Sequence, residues 1–285
     1  MNLDNIFNEI EKVDPEVYGR LDSRRAAMKS FARTSGKMAL AAVPLAFGSM
    51  LQKAYAGTRS VSDSVVEILN YALTLEFLEA EFYNTGLMTT GLLAPGDVRS
   101  GIEIIAKHEN AHVKYLQTTI MKLGGTPTPK PTFDFSGGSG SGNGPFKGLF
   151  NSLDLFLSVA QTFEDTGVRA YKGRAMEIVG GGDVLTAALQ IHSVEARHAA
   201  YLREIRKTLG SGIGNVKPWI TGNISGINSQ AVQPNYNGED VTTQSGINIV
   251  GINGFPISFN AATEAFDEPL SKADVLAIVT LFIKP

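Results

Sequence analysis

The chain contains no cysteine among its 285 residues. Disulfides, zinc fingers, iron–sulfur clusters and thiol nucleophiles are thereby excluded together, and any bound metal must be held by oxygen and imidazole nitrogen. Charge is also sparse and nearly balanced, with 19% charged residues and a formal net charge of −3. No basic cluster beyond the N-terminal region has the density needed to track a phosphate backbone, so nucleic acid is not an expected partner. Histidine is scarce, and the positions of the four that occur therefore carry information. What the chain does have is a hydrophobic share of 43%, that of an ordinary globular protein with a buried core, which excludes disorder throughout. The length suits one sizeable helical domain with appendages, or two small domains at most.

The apolar run from Met38 to Leu51 has roughly 14 residues, short of the roughly 20 that a helix needs to span a bilayer. It follows Ser23-Arg24-Arg25-Ala26-Ala27-Met28-Lys29 and a polar spacer, and ends near the small-residue triplet Ala54-Tyr55-Ala56. This arrangement resembles a twin-arginine export signal, although Ala27 and Met28 replace the usual Phe-Leu pair. The resemblance implies cleavage after Ala56, transport of the folded chain by the twin-arginine translocase, and a periplasmic or otherwise exported location. The other reading of residues 1–56 is an uncleaved N-terminal helix or anchor.

Four later segments carry apolar residues at three- and four-residue intervals, which predicts helices over Val61 to Thr90, Val98 to Leu123, Leu149 to Val179 and Val184 to Leu209. Leu69, Ala72, Leu73, Leu75 and Leu78 make one such stripe, and Leu153, Phe156, Leu157, Ala160 and Phe163 another. Gly91 to Gly96 breaks the first pair and Gly180 to Gly182 the second, with Asp183 as a candidate N-cap. Breaks this short imply antiparallel hairpins. Residues 124–148 join the hairpins and are rich in Pro, Gly and Ser; at about 3 Å per extended residue they reach along a whole bundle. The expected organisation is thus an N-terminal export segment over 1–56, a four-helix bundle over 57–209 with a crossover over 124–148, and a C-terminal extension over 210–285. Within that extension, residues 210–262 are rich in Gly, Asn and Ser and suggest no function, whereas Ser271 to Ile283 reads as a short capped helix packed on the main body.

The second and fourth helices both contain Glu-x-x-His-x-x-Tyr-Leu, as Glu109 to Leu116 and Glu195 to Leu202. Three residues place Glu and His one turn apart on one helix face, where both reach a single cation. The first helix carries Glu76 with Tyr83 seven residues on, and the third carries Glu164 with Tyr171 at the same spacing. The separation of Glu76 from Glu109 is within two positions of that of Glu164 from Glu195, so the hairpins read as a pseudo-symmetric repeat. A single Glu-x-x-His usually marks a solvated pair. Two matched copies, each opposite an apolar helix that bears an otherwise unexplained acid, point instead to a cation-binding core. Carboxylates facing a bundle interior are costly unless paired, and two divalent ions would match the charge of four glutamates while neutral imidazoles leave that balance unchanged.

Those six residues, Glu76, Glu109, His112, Glu164, Glu195 and His198, are similar in type and order to the ligands of the ferritin-like di-iron and di-manganese carboxylate proteins. With its crossover, its export signal and its long extension, the chain looks most like the exported group that includes desiccation-related proteins. The resemblance covers about Val61 to Leu209, with a looser likeness at Ala265 to Leu270. It implies an all-α ferritin-like four-helix bundle, with Glu109 and Glu195 bridging two metals, Glu76 and Glu164 as terminal carboxylates, and His112 and His198 each capping one ion. Two iron ions acting on dioxygen or peroxide, in ferroxidase-type chemistry, are the expected cofactor and activity. Two manganese ions disproportionating peroxide, and a non-catalytic metal-binding role in stress or desiccation, are the alternatives, and a homo-oligomeric assembly is left open. Tyr83 and Tyr171 are candidates to hydrogen-bond the ligand carboxylates, and Glu79 is a candidate additional or shifting carboxylate. Glu81 is read as solvated; His108, directly before Glu109, and His192, one turn before Glu195, are read as surface or packing histidines, with support of the ligands as the alternative for either.

Overall fold

A computed structural model describes residues 64–285 except 179–181, 213 and 215. The arginine pair and the apolar run of the expected export signal lie outside the described residues. Helix α1 spans Val65–Met88 and opens on a capping box: the Ser64 hydroxyl accepts from the Glu67 amide, and the Glu67 carboxylate accepts from the Ser64 amide at 2.6 Å. Helix α2 spans Asp97–Lys122, α3 Leu153–Ala175 and α4 Asp183–Thr208. All four elements occur where the apolar spacing predicts them, with ends shifted by a few residues. The third segment is subdivided, because Leu149–Asn151 and Met176–Ile178 form single 3₁₀ turns before and after α3. Ser152 caps α3 by accepting from the Leu155 amide. Asp183 is the first residue of α4 rather than its cap, a place where its negative charge favours the helix dipole; the cap position belongs to Gly182.

The helices pair as antiparallel hairpins, α1 with α2 and α3 with α4, and the hairpins meet chiefly through α1 and α3. Among the described residues this is the all-α, ferritin-like bundle expected. Two glycines permit its closest approaches. A Cβ on Gly86 of α1 would lie 2.4 Å from the Phe156 ring of α3, and one on Gly101 of α2 would lie 1.9 Å from the Tyr201 hydroxyl of α4. Aromatic side chains fill the end of the bundle beyond the site, with Phe82 stacked on Phe156 at 4.7 Å between centroids and edge-on to Phe163 and Tyr83.

Between the hairpins the chain runs along α1. The Asn70 side chain accepts from the Thr128 amide at 2.6 Å and donates to the Thr126 carbonyl, and Lys130 pairs with Glu81 further along the helix. Glu81 is therefore half-buried and paired, not merely solvated. The glycine-rich part of the crossover is folded around Asp134, whose carboxylate accepts from the amides of Ser136, Gly140 and Gly142 at 2.9–3.0 Å.

The C-terminal extension is not a loose tail. A 3₁₀ segment at Gln230–Asn235, a two-residue hairpin of β1 (Thr243–Gln244) and β2 (Ile247–Asn248), α5 (Phe259–Glu264) and α6 (Lys272–Val279) fold over the outer face of the α3–α4 hairpin. The expected cap at Ser271 is present, accepting from the Asp274 amide. After α6 a bridge between Phe133 and Ile283 joins the end of the chain to the crossover. This covering explains why α3 is buried on nearly every side even though it carries Gln161, Asp165 and Arg169. Each of these polar groups meets a partner in the extension. Arg169 donates to the carbonyls of Asn235, Asn237 and Glu268, Tyr236 donates to Asp165 at 2.7 Å, and Gln161 donates to the Ser225 carbonyl.

Candidate metal centre

The helix spacing delivers all six predicted side chains to one place inside the bundle. Glu76, Glu109, Glu164 and Glu195 are fully buried, one from each helix, and His198 is buried beside them. His112 keeps 12% of its side chain exposed. Its Nδ1 lies 3.2 Å from Glu76, 3.1 Å from Glu109 and 3.2 Å from Glu195. The Nδ1 of His198 lies 3.0 Å from Glu109, 3.1 Å from Glu164 and 3.6 Å from Glu195. Two sets of donor atoms result, Glu76, Glu109, His112 and Glu195 in one and Glu109, Glu164, Glu195 and His198 in the other, each within 4.8 Å. Glu109 and Glu195 belong to both sets. Each turns one oxygen towards His112 and the other towards His198.

A ring of oxygen and imidazole donors suits hard divalent ions such as iron or manganese. The fit is tested by three oxygens at its centre. Glu109 Oε1 and both oxygens of Glu195 are buried with no hydrogen bond, because the neighbouring imidazoles approach them off the hydrogen-bonding direction. Buried carboxylate oxygens left in that condition are costly in a closed protein core and are resolved by a cation between the two carboxylates. The residues present therefore fit a pair of metal ions.

Electrostatics agree. Burial, followed by the charge of Glu195, pushes the Glu76 carboxyl well above its usual range. Burial also pushes Glu164 up, to about 8. Burial alone would lower His198, but the charge and hydrogen bond of Glu164, with the carboxylates of Glu109 and Glu195 close by, override it and hold the imidazole at about 12. His112 is raised in the same way by its three carboxylates. Without metal, the site is thus charge-compensated by protons.

The tyrosines reach across the bundle. Tyr171 of α3 donates to Glu76 of α1 at 2.5 Å, and Tyr83 of α1 donates to Glu164 of α3. Each hydroxyl holds the glutamate of the opposite hairpin that belongs to one donor set only, so the repeat is interlocked. Glu79 is buried, raised by burial and then by the charge of Glu195, but belongs to neither donor set. It faces a small cavity with Leu75, Leu78, Phe163, Gly167 and Ile278. His192 bonds the Val168 carbonyl at 3.0 Å, as a packing histidine does. His108 does more than a surface histidine: its Nδ1 lies 2.9 Å from His198 Nε2. Sequence spacing gave no sign of that contact, since His108 and His198 lie on different helices and only the docking of α2 on α4 brings them together.

No curated protein matches the chain. A family model described as a ferritin-like domain matches residues 64–208, just over half of the chain and the whole of the four-helix bundle. With the paired hairpins, the long crossover and the buried carboxylate–histidine cluster, that match establishes that the chain belongs to the ferritin-like family.

Proposed function

We propose that this is an exported redox protein that holds two iron ions between its hairpins and oxidises Fe(II) with dioxygen or peroxide. The observation that carries the reading is the sharing of Glu109 and Glu195 between both donor sets, with their inner oxygens free of hydrogen bonds. In this reading Glu109 and Glu195 would be shared by the two ions, Glu76 and Glu164 would each serve one of them as terminal carboxylates, and His112 and His198 would each hold one ion. A pair of iron ions would supply two electrons, which with two protons reduce dioxygen to peroxide or peroxide to water. The protein's part is positional and electrostatic. Tyr83 and Tyr171 fix the rotamers of Glu164 and Glu76, so the carboxylates face inward before any ion arrives. Burial of all four glutamates keeps bulk water from the reacting oxygens, while the partial exposure of His112 places the solvent side of the site at that residue.

Export and kinship with desiccation-related proteins rest on the sequence of residues 23–56 and on the glycine-rich crossover and extension. Manganese in place of iron would turn the same site to disproportionation of peroxide.

The test uses the full chain loaded with Fe(II) under nitrogen and then mixed with dioxygen or with peroxide, beside a manganese-loaded sample given peroxide. Fe(II) consumption faster than the free-ion control is expected, with loss of both ions and of the rate when Glu109 and Glu195 are changed to Ala. Rates no greater than free ions for both metals would replace the enzymatic reading by a structural one.

A further inference from the structure

We propose that His108 is a positioning residue that makes the two metal positions unequal, by holding His198 with its Nδ1 turned to the carboxylates. The inference rests on the dinuclear reading above and adds an asymmetry that the ligand set alone does not contain. His198 Nε2 lies 2.9 Å from His108 Nδ1, and the rings are near-parallel, 14° apart with centroids separated by 5.2 Å. On its other side, His198 Nδ1 faces Glu109, Glu164 and Glu195. For Nδ1 to offer a lone pair to a cation, the proton of the neutral ring must sit on Nε2, and an acceptor beyond Nε2 favours that tautomer. His108 Nδ1 is such an acceptor.

The second half-site lacks this support. Under the repeat that matches Glu109 with Glu195 and His112 with His198, the position of His108 is taken by Val194, which has no side-chain acceptor. His112 is also the ligand imidazole that keeps solvent exposure, whereas His198 is buried. One metal position is therefore backed by an imidazole whose far nitrogen has a hydrogen-bond partner, and among the described residues the other is held by a somewhat more exposed imidazole without that brace. The braced set of Glu109, Glu164, Glu195 and His198 fills first and binds more tightly.

Anaerobic titration of the full chain with Fe(II), followed by calorimetry, tests this through affinity rather than turnover. The wild type is expected to bind two ions in two resolved steps. His108→Leu removes the acceptor while His108→Asn keeps one, because the Asn Oδ1 stands where the imidazole Nδ1 stood and Leu matches Asn in branching and number of side-chain heavy atoms without an acceptor. The Leu variant should weaken the tighter step by about tenfold or more and leave the weaker step in place, and the Asn variant should restore most of the loss. Equal losses in Leu and Asn would assign the effect to packing and overturn the proposal, as would an unchanged Leu variant, a uniform loss in both steps, or a wild type whose two ions bind in one indistinguishable step. A wild type that binds no Fe(II) would instead overturn the dinuclear reading itself.

Discussion

At the scale of single residues, the site is a set of protons waiting to be exchanged for cations. With Glu164 pushed up to about 8 and His198 held at about 12, both carry a proton at neutral pH in the metal-free fold. Metal ligation requires both to be lost, so binding must release protons and strengthen as pH rises. Anaerobic Fe(II) titration in buffers of different ionisation enthalpy should show that release at pH 7, and a heat independent of buffer would contradict it. The same shifts set the sign of stability. The folded metal-free chain binds more protons than the unfolded one wherever Glu164 is protonated only in the fold, from about pH 4.5 to about pH 8. The melting temperature of the chelated protein should therefore fall through that window as pH rises. The raised His198 acts in the same direction, its contribution being complete below its unfolded value near 6.5 and lost through about 12. In the metal-loaded protein the gap to the chelated form should widen with pH, because the ions replace those protons.

Elements show a division of labour between the hairpins. Helix α2 buries a single stripe, Ile102, Ile105, Ala106, Glu109, Leu116 and Ile120, and leaves its other face to solvent. Helix α3 has no such free face, because the extension covers it and meets its polar groups. The bond of Arg203 in α4 to Asp165 in α3 is the centre of that interface: Arg203 Nη1 donates to Asp165 at 2.7 Å, both side chains are buried, and the Tyr236 hydroxyl supplies a further donor. Breaking one side of a buried pair strands the other charge, at a cost of about 3–5 kcal/mol. Arg203→Met should lower the stability measured by urea unfolding by that order, at the lower end because Tyr236 still donates to Asp165. Combining it with Asp165→Leu should recover part of the loss, since no charge is then left unpaired. A double variant no more stable than the single would show that the pair itself, rather than the stranded carboxylate, holds the interface.

At the scale of the molecule, bundle and extension share one hydrophobic core among the described residues. Ile227, Val232, Tyr236, Leu270, Val275, Ile278, Val279 and Phe282 belong to the same buried cluster as Leu73, Phe82 and Phe156. A chain ending at Leu209 would leave the outer face of α3 with Arg169, Gln161 and apolar side chains uncovered at once. Such a truncation should fail to give a cooperative thermal transition and should expose apolar surface to a hydrophobic dye. A soluble truncated chain that melts cooperatively and still binds two ions would mean that the four helices suffice alone.

Much of this architecture is legible along the chain because it depends on short-range periodicity. Apolar residues three and four apart define all four long helices, Ser271 announces a cap, and Glu-x-x-His places each carboxylate and imidazole on one helix face whatever the helix packs against. The repeat of that motif, opposite Glu76 and Glu164, is enough to indicate a cluster of donors. Contacts between elements are a different matter, since they depend on how the helices rotate and dock. Tyr83 and Tyr171 share faces with Glu76 and Glu164 of their own helices, yet their hydroxyls bond the glutamates of the opposite helices, which no spacing within one helix specifies. Residues 210–262 show little periodicity, because their bonds to Gln161, Asp165 and Arg169 run through carbonyls and isolated side chains rather than through a repeating face. The sequence alone determined which residues are available to hold metal and which helices carry them. Only the packing of α2 against α4 decided that His108 stands behind His198, because that choice is made by inter-helix distances of a few ångströms that a linear pattern does not encode.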